Sequence, residues 1–229
     1  MYDVGRGRIL RIPAWLGLKL VVRIRPFVMV LASLEVVACG GSGTSPSATP
    51  PVAALTGTVT DPAGDAVTRP GVAISPDLVA AVIEVSAGNL TLTVTLAPGT
   101  LSQTQTLVST ALDTDENPAT GSPGIDSGAT DAALIGTDYV INAVAPRGSA
   151  QALILKAVGN AYQFTTVGTA TVSFPAADQL RVTVPLSMLG NDDGRLKFKV
   201  TCSQYLTDTS VTGITDYMPN AGVAAGVVR

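Results

Sequence analysis

The chain has 229 residues, of which 46% are hydrophobic and 14% charged, with 14 basic residues, 17 acidic residues, two cysteines and no histidine. The lack of histidine excludes Ser-His-Asp and Cys-His nucleophilic systems, histidine general bases and the usual histidine zinc sites. Two cysteines are too few for a disulfide scaffold, so the folded part must depend on a hydrophobic core.

The first 38 residues have the pattern of a secretion signal. They contain six basic and two acidic residues, and the basic part is followed by the apolar run FVMVLASLEVVA. This run is about a dozen residues long, whereas a helix that spans a bilayer needs about twenty. A signal peptide over residues 1–38 is therefore favoured over a transmembrane anchor.

The next feature is the short sequence VVAC, which places small side chains before Cys39 and resembles the lipobox of bacterial lipoproteins. The resemblance implies cleavage before Cys39, its acylation, and an anchor in the bacterial cell envelope, at the outer membrane or cell surface. The segment GGSGTSPSATPP has the composition of a flexible tether, so residues 39–56 are predicted to link anchor and domain. The alternative is a chance cysteine near an ordinary secretory cleavage site.

Without residues 1–38 the chain keeps 8 basic and 15 acidic residues, a net charge of −7. No Lys or Arg lies between Arg69 and Arg147, while eight carboxylates fall inside that window. Such a surface repels nucleic acid and attracts cations. We expect no nucleic-acid partner.

The rest of the chain consists of short runs rich in Val, Thr, Ala and Leu between turn residues. The predicted strands are 79–85, 90–96, 107–112, 139–144, 150–158, 161–166, 169–174, 179–184 and 196–202. The sequences AGN and GN indicate hairpin turns, and PLSMLG predicts one helical turn that ends at Gly190. This pattern predicts an all-β fold, a two-sheet antiparallel β-sandwich of jelly-roll or immunoglobulin-like type, as one domain over residues 57–229.

Two acidic motifs lie near the ends of this domain. TDPAGDA contains Asp61 and Asp65 around a Pro/Gly turn, and TDYMPNAG contains Asp216 and Asn220. The termini of a sandwich often lie close together, which leaves open one shared site. Turns are the favoured interpretation of both motifs.

Residues 112–139, the acidic segment, carry six carboxylates and no basic residue. In DTDEN the oxygen-bearing side chains alternate just as a predicted strand ends, and alternate side chains on extended backbone point the same way. Calcium prefers six to eight oxygen ligands. We predict a calcium site whose ligands are Asp113, Asp115, Asn117, Asp126, Asp131 and Asp138. The alternative is a soluble loop in which Asp and Asn cap turns.

The strand LKFKVTC alternates apolar and polar residues, which places Cys202 on its buried face and predicts a structural thiol. Sugar binding requires exposed aromatic side chains, and Tyr162, Tyr205 and Tyr217 are the candidates for such contacts. The single tryptophan, Trp15, lies in the predicted signal, which weakens a classical sugar platform and leaves a polar one open.

Six short motifs span roughly residues 57–222: DPAGDA, LTLTVTL, LDTDENPATG, GTDYVI, VPLSMLGNDDGRLKFKV and TDYMPNAG. Together they resemble the DOMON-like, carbohydrate-binding-module-family-9-like β-sandwich domains of bacterial secreted proteins. The resemblance implies a non-catalytic binding module with calcium ligands in the acidic segment and among the terminal aspartates. Members of that group bind sugars, haem or unknown partners. This chain lacks the stacking tryptophans of the sugar-binding members and the histidine of the haem-binding ones.

The sequence thus predicts a non-catalytic, lipid-anchored binding or adhesion module of the cell envelope, stabilised by calcium. Its expected partners are the membrane, through the anchor on Cys39, and a glycan or surface protein. A carbohydrate-binding module is the first alternative, and a paired-carboxylate hydrolase is the less favoured one.

Overall fold

The structure is a computed structural model that describes residues 54–123, 135–144, 150–207, 210–220 and 222–229. Within these residues there are twelve strands: β1 (Leu55–Thr60), β2 (Leu78–Ser86), β3 (Asn89–Leu96), β4 (Thr106–Asp113), β5 (Tyr139–Val144), β6 (Gln151–Ala157), β7 (Phe164–Ala176), β8 (Gln179–Pro185), β9 (Leu196–Thr207), β10 (Ser210–Val211), β11 (Asp216–Met218) and β12 (Gly226–Val228). The predicted signal, Cys39, most of the tether, Asp126 and Asp131 lie outside the described residues.

The all-β prediction is confirmed, and every predicted strand overlaps an observed one, although β9 extends five residues beyond the predicted end. β1, β10, β11 and β12 have no predicted counterpart. One difference is that the predicted strands 161–166 and 169–174 form a single strand, β7. Its pairing with β6 shifts register next to Gly168, which indicates a β-bulge. A Cβ at Gly168 would lie 2.8 Å from Met188 Sδ, so the absence of a side chain here leaves room for Met188. This glycine does not end the strand.

The predicted turns have backbone conformations that explain their residues. Ala87 and Gly88 both have positive φ angles, 48° and 76°, as a two-residue hairpin loop between β2 and β3 requires. The helical turn is a 3-10 helix at Leu186–Leu189, which ends at Gly190 in the left-handed conformation. No helix in the described part of the chain is long and apolar enough to cross a membrane.

The strands form one antiparallel sheet in the order β1-β2-β3-β8-β7-β6-β5-β4-β9, and β10, β11 and β12 also pair with β9. The C-terminal half of β7 pairs with β8, while its N-terminal half pairs with β6. Reciprocal backbone hydrogen bonds of 3.2 and 3.3 Å join Thr56 to Arg229 and bring β1 back beside β12. The sheet therefore nearly closes on itself.

Strand alternation directs one side of this sheet into a single core. In β3, Leu90, Leu92, Val94 and Leu96 are fully buried, while the threonines between them are half-buried. The same core contains residues of β4, β5, β6 and β9, the largest of which is Phe198. Burial of one such side chain stabilises the fold by about 1.5–3 kcal/mol, so this core is the main source of stability.

Cys202 is on the buried face of β9, as the alternation predicts, and it is 1% exposed. Its thiol lies 3.2 Å from the Pro76 carbonyl oxygen and 3.3 Å from Thr215 Oγ1. Burial raises the pKa of this thiol to about 12, because a thiolate is poorly solvated there. The burial of this thiol and its two contacts agree with the predicted structural role.

Closure of the sheet makes Gly226 a sensitive position. A methyl group there would lie 2.5 Å from Val59 Cγ1 and 2.6 Å from Phe198 Cε1. We expect Gly226→Ala to lower the free energy of unfolding, measured in urea, by about 1–3 kcal/mol because the contact is overpacked. The control is Gly213→Ala, where the nearest atom, Arg69 Cζ, is 3.5 Å away and the change should stay within about 0.5 kcal/mol. Equal stability of the two variants would contradict a tight β1–β12 junction.

Candidate metal centre

Pairing of β4 with β5 brings the two ends of the acidic segment together. Asp113 is the last residue of β4, Asp138 immediately precedes β5, and the Asp138 amide donates to the Leu112 carbonyl at 2.9 Å. Carboxylate oxygens of Asp113, Asp115 and Asp138 lie within 4.8 Å of one another. Three of the predicted ligands thus converge at one end of the sheet.

The sequence predicts that extended backbone brings Asp113 and Asp115 together, but in the structure a turn does so. The chain turns after Asp113, and Glu116 has a positive φ of 53°. In this turn the Asn117 amide donates to Asp113 Oδ1 at 3.0 Å and to Asp115 Oδ1 at 2.9 Å. The Asn117 side-chain oxygen accepts from the Ala119 amide at 3.1 Å, so it caps the next turn.

Threonine side chains hold the other two carboxylates. The Thr114 amide and hydroxyl both donate to Asp138 Oδ2 at 2.9 Å, and the Thr120 hydroxyl donates to both oxygens of Asp115. Burial raises the pKa of Asp115, but the hydrogen bonds from Thr120 and Asn117 outweigh it and lower the pKa overall. Asp115 and Asp138 are thus positioned by a preformed turn.

Asp113 differs because it is completely buried and its Oδ2 has no hydrogen-bond partner among the described residues. Lys197 Nζ lies 4.0 Å from this oxygen, and it donates to the Glu116 carbonyl at 2.9 Å. Burial raises the pKa of Asp113 to about 6, although the charge of Lys197 lowers it. A buried carboxylate oxygen without a donor is costly, and a bound cation would remove that cost.

An open cavity of about 260 Å³ lies beside these carboxylates, and both acidic and basic residues line it: Thr114, Asp115, Glu116, Asp193, Arg195 and Arg229. Arg229 Nη2 forms an ion pair of 3.2 Å with Glu116 Oε2, so Glu116 is already neutralised. Chemically, the site offers three carboxylates and one unsatisfied oxygen, which suits a hard divalent cation. The charge of Lys197 partly compensates the same carboxylates and reduces the attraction for such an ion.

Asp192 is a further acidic residue at this site, and the sequence analysis did not select it. Burial raises its pKa, and the charges of Asp193 and Asp138 raise it further. Asp192 Oδ1 also accepts from the Gly194 amide at 2.7 Å, so it has a turn-forming role. The adjacent pair in NDDG was the available signal, but its proximity to Asp138 depends on the fold.

The three tyrosines proposed for ligand contact lie in separate places. Tyr162 is 61% exposed in the turn between β6 and β7, whereas Tyr205 in β9 and Tyr217 in β11 are half-buried. The Ala157 amide donates to the Asp138 carbonyl, which places the end of β6 near the acidic segment. The Tyr205 amide donates to the Gln105 carbonyl at the other end of β4, about 25 Å along the strand. Tyr162 and Tyr205 therefore do not form one platform.

The raised pKa of Asp113 predicts a pH effect in chelator. The folded-state pKa, about 6, exceeds the ordinary 3.8, so the stability from this group is present below pH 4 and is lost as pH rises to about 6. We expect Asp113→Asn to remove this part of the slope, at most about 1.4 kcal/mol per pH unit, from urea unfolding curves. The control is Glu84→Gln, an exposed site on β2. If the free energy of unfolding of Asp113→Asn depended on pH as in the wild type, the predicted role of Asp113 would be contradicted.

The chain matches no known protein-family model and no curated protein sequence. The lipoprotein signal and the likeness to DOMON-like domains therefore stay predictions from the sequence. Any functional conclusion depends on the geometry of the described residues.

Proposed function

We propose that this protein is a non-catalytic binding or adhesion module whose folded domain is stabilised by calcium at the acidic segment. The observation that carries the proposal is the buried Asp113 Oδ2, which has no hydrogen-bond partner among the described residues and lies beside Asp115 and Asp138. A cation at this oxygen would satisfy it and would reduce the repulsion among the three carboxylates.

Calcium fits this set of ligands better than a transition metal. All available side-chain ligands are carboxylate oxygens, which hard cations prefer, and the described residues contribute no thiolate or imidazole there. Calcium accepts irregular shells of six to eight oxygens, so carbonyls and water would supply the remaining ligands.

We infer that the sheet is arranged as a two-sheet sandwich of the kind found in DOMON-like domains. The support is the change of partner along β7, which pairs with β6 before the bulge and with β8 after it. Strands on both sides of this change contribute to one core, as facing sheets would.

The proposed location is the bacterial cell envelope, at the outer membrane or cell surface, with the lipid on Cys39. The support comes from the order of basic segment, apolar run, VVAC and Gly/Ser/Pro tether along the sequence. The first strand, β1, begins at Leu55, within the last two residues of the predicted tether. A lipid anchor would hold the domain at the membrane surface, where a binding module can reach a glycan or a surface protein.

A carbohydrate-binding module is the second candidate. The observation that favours it is a group of exposed apolar side chains in and around the β6–β7 turn, in which Tyr162 and Phe164 are 61% and 36% exposed. Aromatic rings at such a turn would stack on sugar rings. A paired-carboxylate hydrolase is less favoured, because Asp113 is completely buried and does not reach a polysaccharide from solvent.

Calcium should raise the unfolding midpoint of the full chain, because an ion that binds only the folded state stabilises it. We expect the double variant Asp113→Asn with Asp115→Asn to lose at least part of this rise, which is measured by thermal unfolding in calcium, magnesium and chelator. At a free calcium concentration 100 times the dissociation constant, binding at one site raises the free energy of unfolding by about 2.7 kcal/mol.

The matched control for this test is Glu84→Gln, which removes an exposed carboxylate from β2, away from the segment. It should keep the full response to calcium. An unchanged calcium response in the double variant would sink the proposed role of the acidic segment.

The lipid anchor is tested separately through Cys39. In a bacterial host, Cys39→Ser should move the protein from the membrane fraction to a soluble fraction and abolish incorporation of labelled palmitate, because the hydroxyl is not acylated by this route. The control is Cys202→Ser, which changes the buried thiol and should leave lipid incorporation intact. Labelling of Cys39→Ser to the wild-type level would contradict the anchor.

A further inference from the structure

A second group of carboxylates, the terminal cluster of Asp61, Asp65 and Asp216, lies between the two ends of the domain. Asp61 directly follows β1, Asp65 lies in the turn after it, and Asp216 is the first residue of β11. Carboxylate oxygens of the three residues lie within 4.8 Å of one another. The sequence favoured turns for both motifs, but the fold also joins them.

One carboxylate oxygen in the terminal cluster and one beside it are buried without a hydrogen-bond partner among the described residues. Asp61 is 9% exposed, and its Oδ2 is buried without a hydrogen-bond partner among the described residues. The neighbouring Asp77 is 5% exposed, and its Oδ1 is also buried without a hydrogen-bond partner among the described residues. Because an unpaired buried carboxylate oxygen is strongly destabilising, these atoms point to a ligand that the fold is built to receive.

The remaining oxygens of these residues hold the site in place. The Leu78 amide donates to Asp216 Oδ2 at 2.7 Å, and the Gly64 amide donates to Asp77 Oδ2 at 2.7 Å. The second bond fixes the turn that carries Asp65. The carboxylates are thus positioned by backbone donors from β2 and from the loop after β1, and they need no rearrangement to converge.

The charges acting on the terminal cluster differ from those at the acidic segment. Burial raises the pKa of Asp61 to about 6, and the charges of Asp65 and Asp77 raise it further. Burial likewise raises the pKa of Asp216 to about 7, with added contributions from Asp61 and Asp65. At the acidic segment Lys197 opposes such repulsion, whereas the charges that act here are carboxylates.

We propose that Asp61, Asp65 and Asp216 bind a calcium ion that links the loop after β1 to β11. Two oxygens of one calcium shell, each at about 2.3–2.6 Å from the ion, are at most about 5 Å apart. The carboxylate oxygens of the terminal cluster lie within 4.8 Å of one another and are therefore close enough to share an ion. Asn220 donates to Asp65 Oδ2 at 3.1 Å and orients this exposed carboxylate towards the others. The ion connects residues far apart in the sequence, so it stabilises closure of the sheet.

This site is separate from the one in the proposed function. In the register of β9, Asp216 is paired with Cys202, whereas Asp113 is paired with Lys197. Five residues along a strand correspond to about 17 Å, beyond the range in which substitutions usually interact. Loss of one site should therefore leave the other site's calcium response in place.

The test measures calcium binding to the full chain by isothermal titration calorimetry, with Asp65→Asn as the main variant. Asp65 is exposed, so its substitution should leave the fold intact, as circular dichroism would verify. To isolate the terminal cluster, the same change is also made in the variant that carries Asp113→Asn and Asp115→Asn. We expect a calcium-binding event in that background, and Asp65→Asn should weaken it at least tenfold.

Asp61→Asn provides a second readout that a purely structural aspartate would not show. In chelator it should raise the thermal midpoint or leave it unchanged, because one buried unpaired charge is removed. In calcium it should lower the midpoint relative to the wild type, because a ligand is lost. Glu84→Gln serves as control and should change neither value.

Two results would overturn the terminal site. One is the absence of calcium binding in the Asp113→Asn, Asp115→Asn background, and the other is wild-type affinity after Asp65→Asn in that background. If all calcium binding is lost in the Asp113→Asn, Asp115→Asn variant and none in Asp65→Asn, the acidic segment is the calcium site and the terminal cluster is not. If all binding is lost in Asp65→Asn and none in the double variant, the terminal cluster is the site and the acidic segment is not. The same titration with magnesium tests the identity of the ion, because equal affinity for magnesium and calcium would contradict a site specific for calcium.

Discussion

β9 pairs with four other strands, and its register determines how the two ends of the sheet are placed. β9 is paired with β4 on one side, while β10, β11 and β12 are paired with it along its length. Its apolar residues, among them Phe198 and Val200, are fully buried in the core, so a shift of register by one residue would expose this whole set. This register also determines which carboxylates meet. Asp113 lies opposite Lys197, and Asp216 lies opposite Cys202.

Both carboxylate clusters are located where the chain leaves or enters strands of this sheet. Strand ends have backbone amides free to donate, and these amides position Asp113 through Asn117 and Asp216 through Leu78. Each cluster nevertheless retains one buried oxygen without a donor among the described residues, on Asp113 in one and on Asp61 in the other. In a low-dielectric interior this arrangement is unfavourable until a proton or a cation compensates the charge.

The two clusters differ in how much of that compensation the protein itself supplies. Lys197 opposes the charge of Asp113, and Arg229 neutralises Glu116 next to it. At the terminal cluster the neighbours that act on Asp61 are Asp65 and Asp77, which increase the repulsion. The acidic segment has the more conspicuous sequence, but it is also the cluster whose charge the protein partly compensates by itself. Ions at the two clusters would stabilise opposite ends of one sheet.

Strand alternation and local backbone preference are enough to predict the longer strands, the hairpin turns, the helical turn before Gly190 and the burial of Cys202. They also locate the acidic side chains of which three, on Asp113, Asp115 and Asp138, lie together in the fold. The continuity of β7 through Gly168, the return of β12 to β1 and the meeting of Asp61 with Asp216 are visible only in the folded chain. Those features depend on contacts between residues far apart in the chain, and a strand of three residues such as β11 carries too little pattern to reveal its partner. The local sequence reports which face of a strand is buried, whereas the register of β9 determines which distant residues face each other.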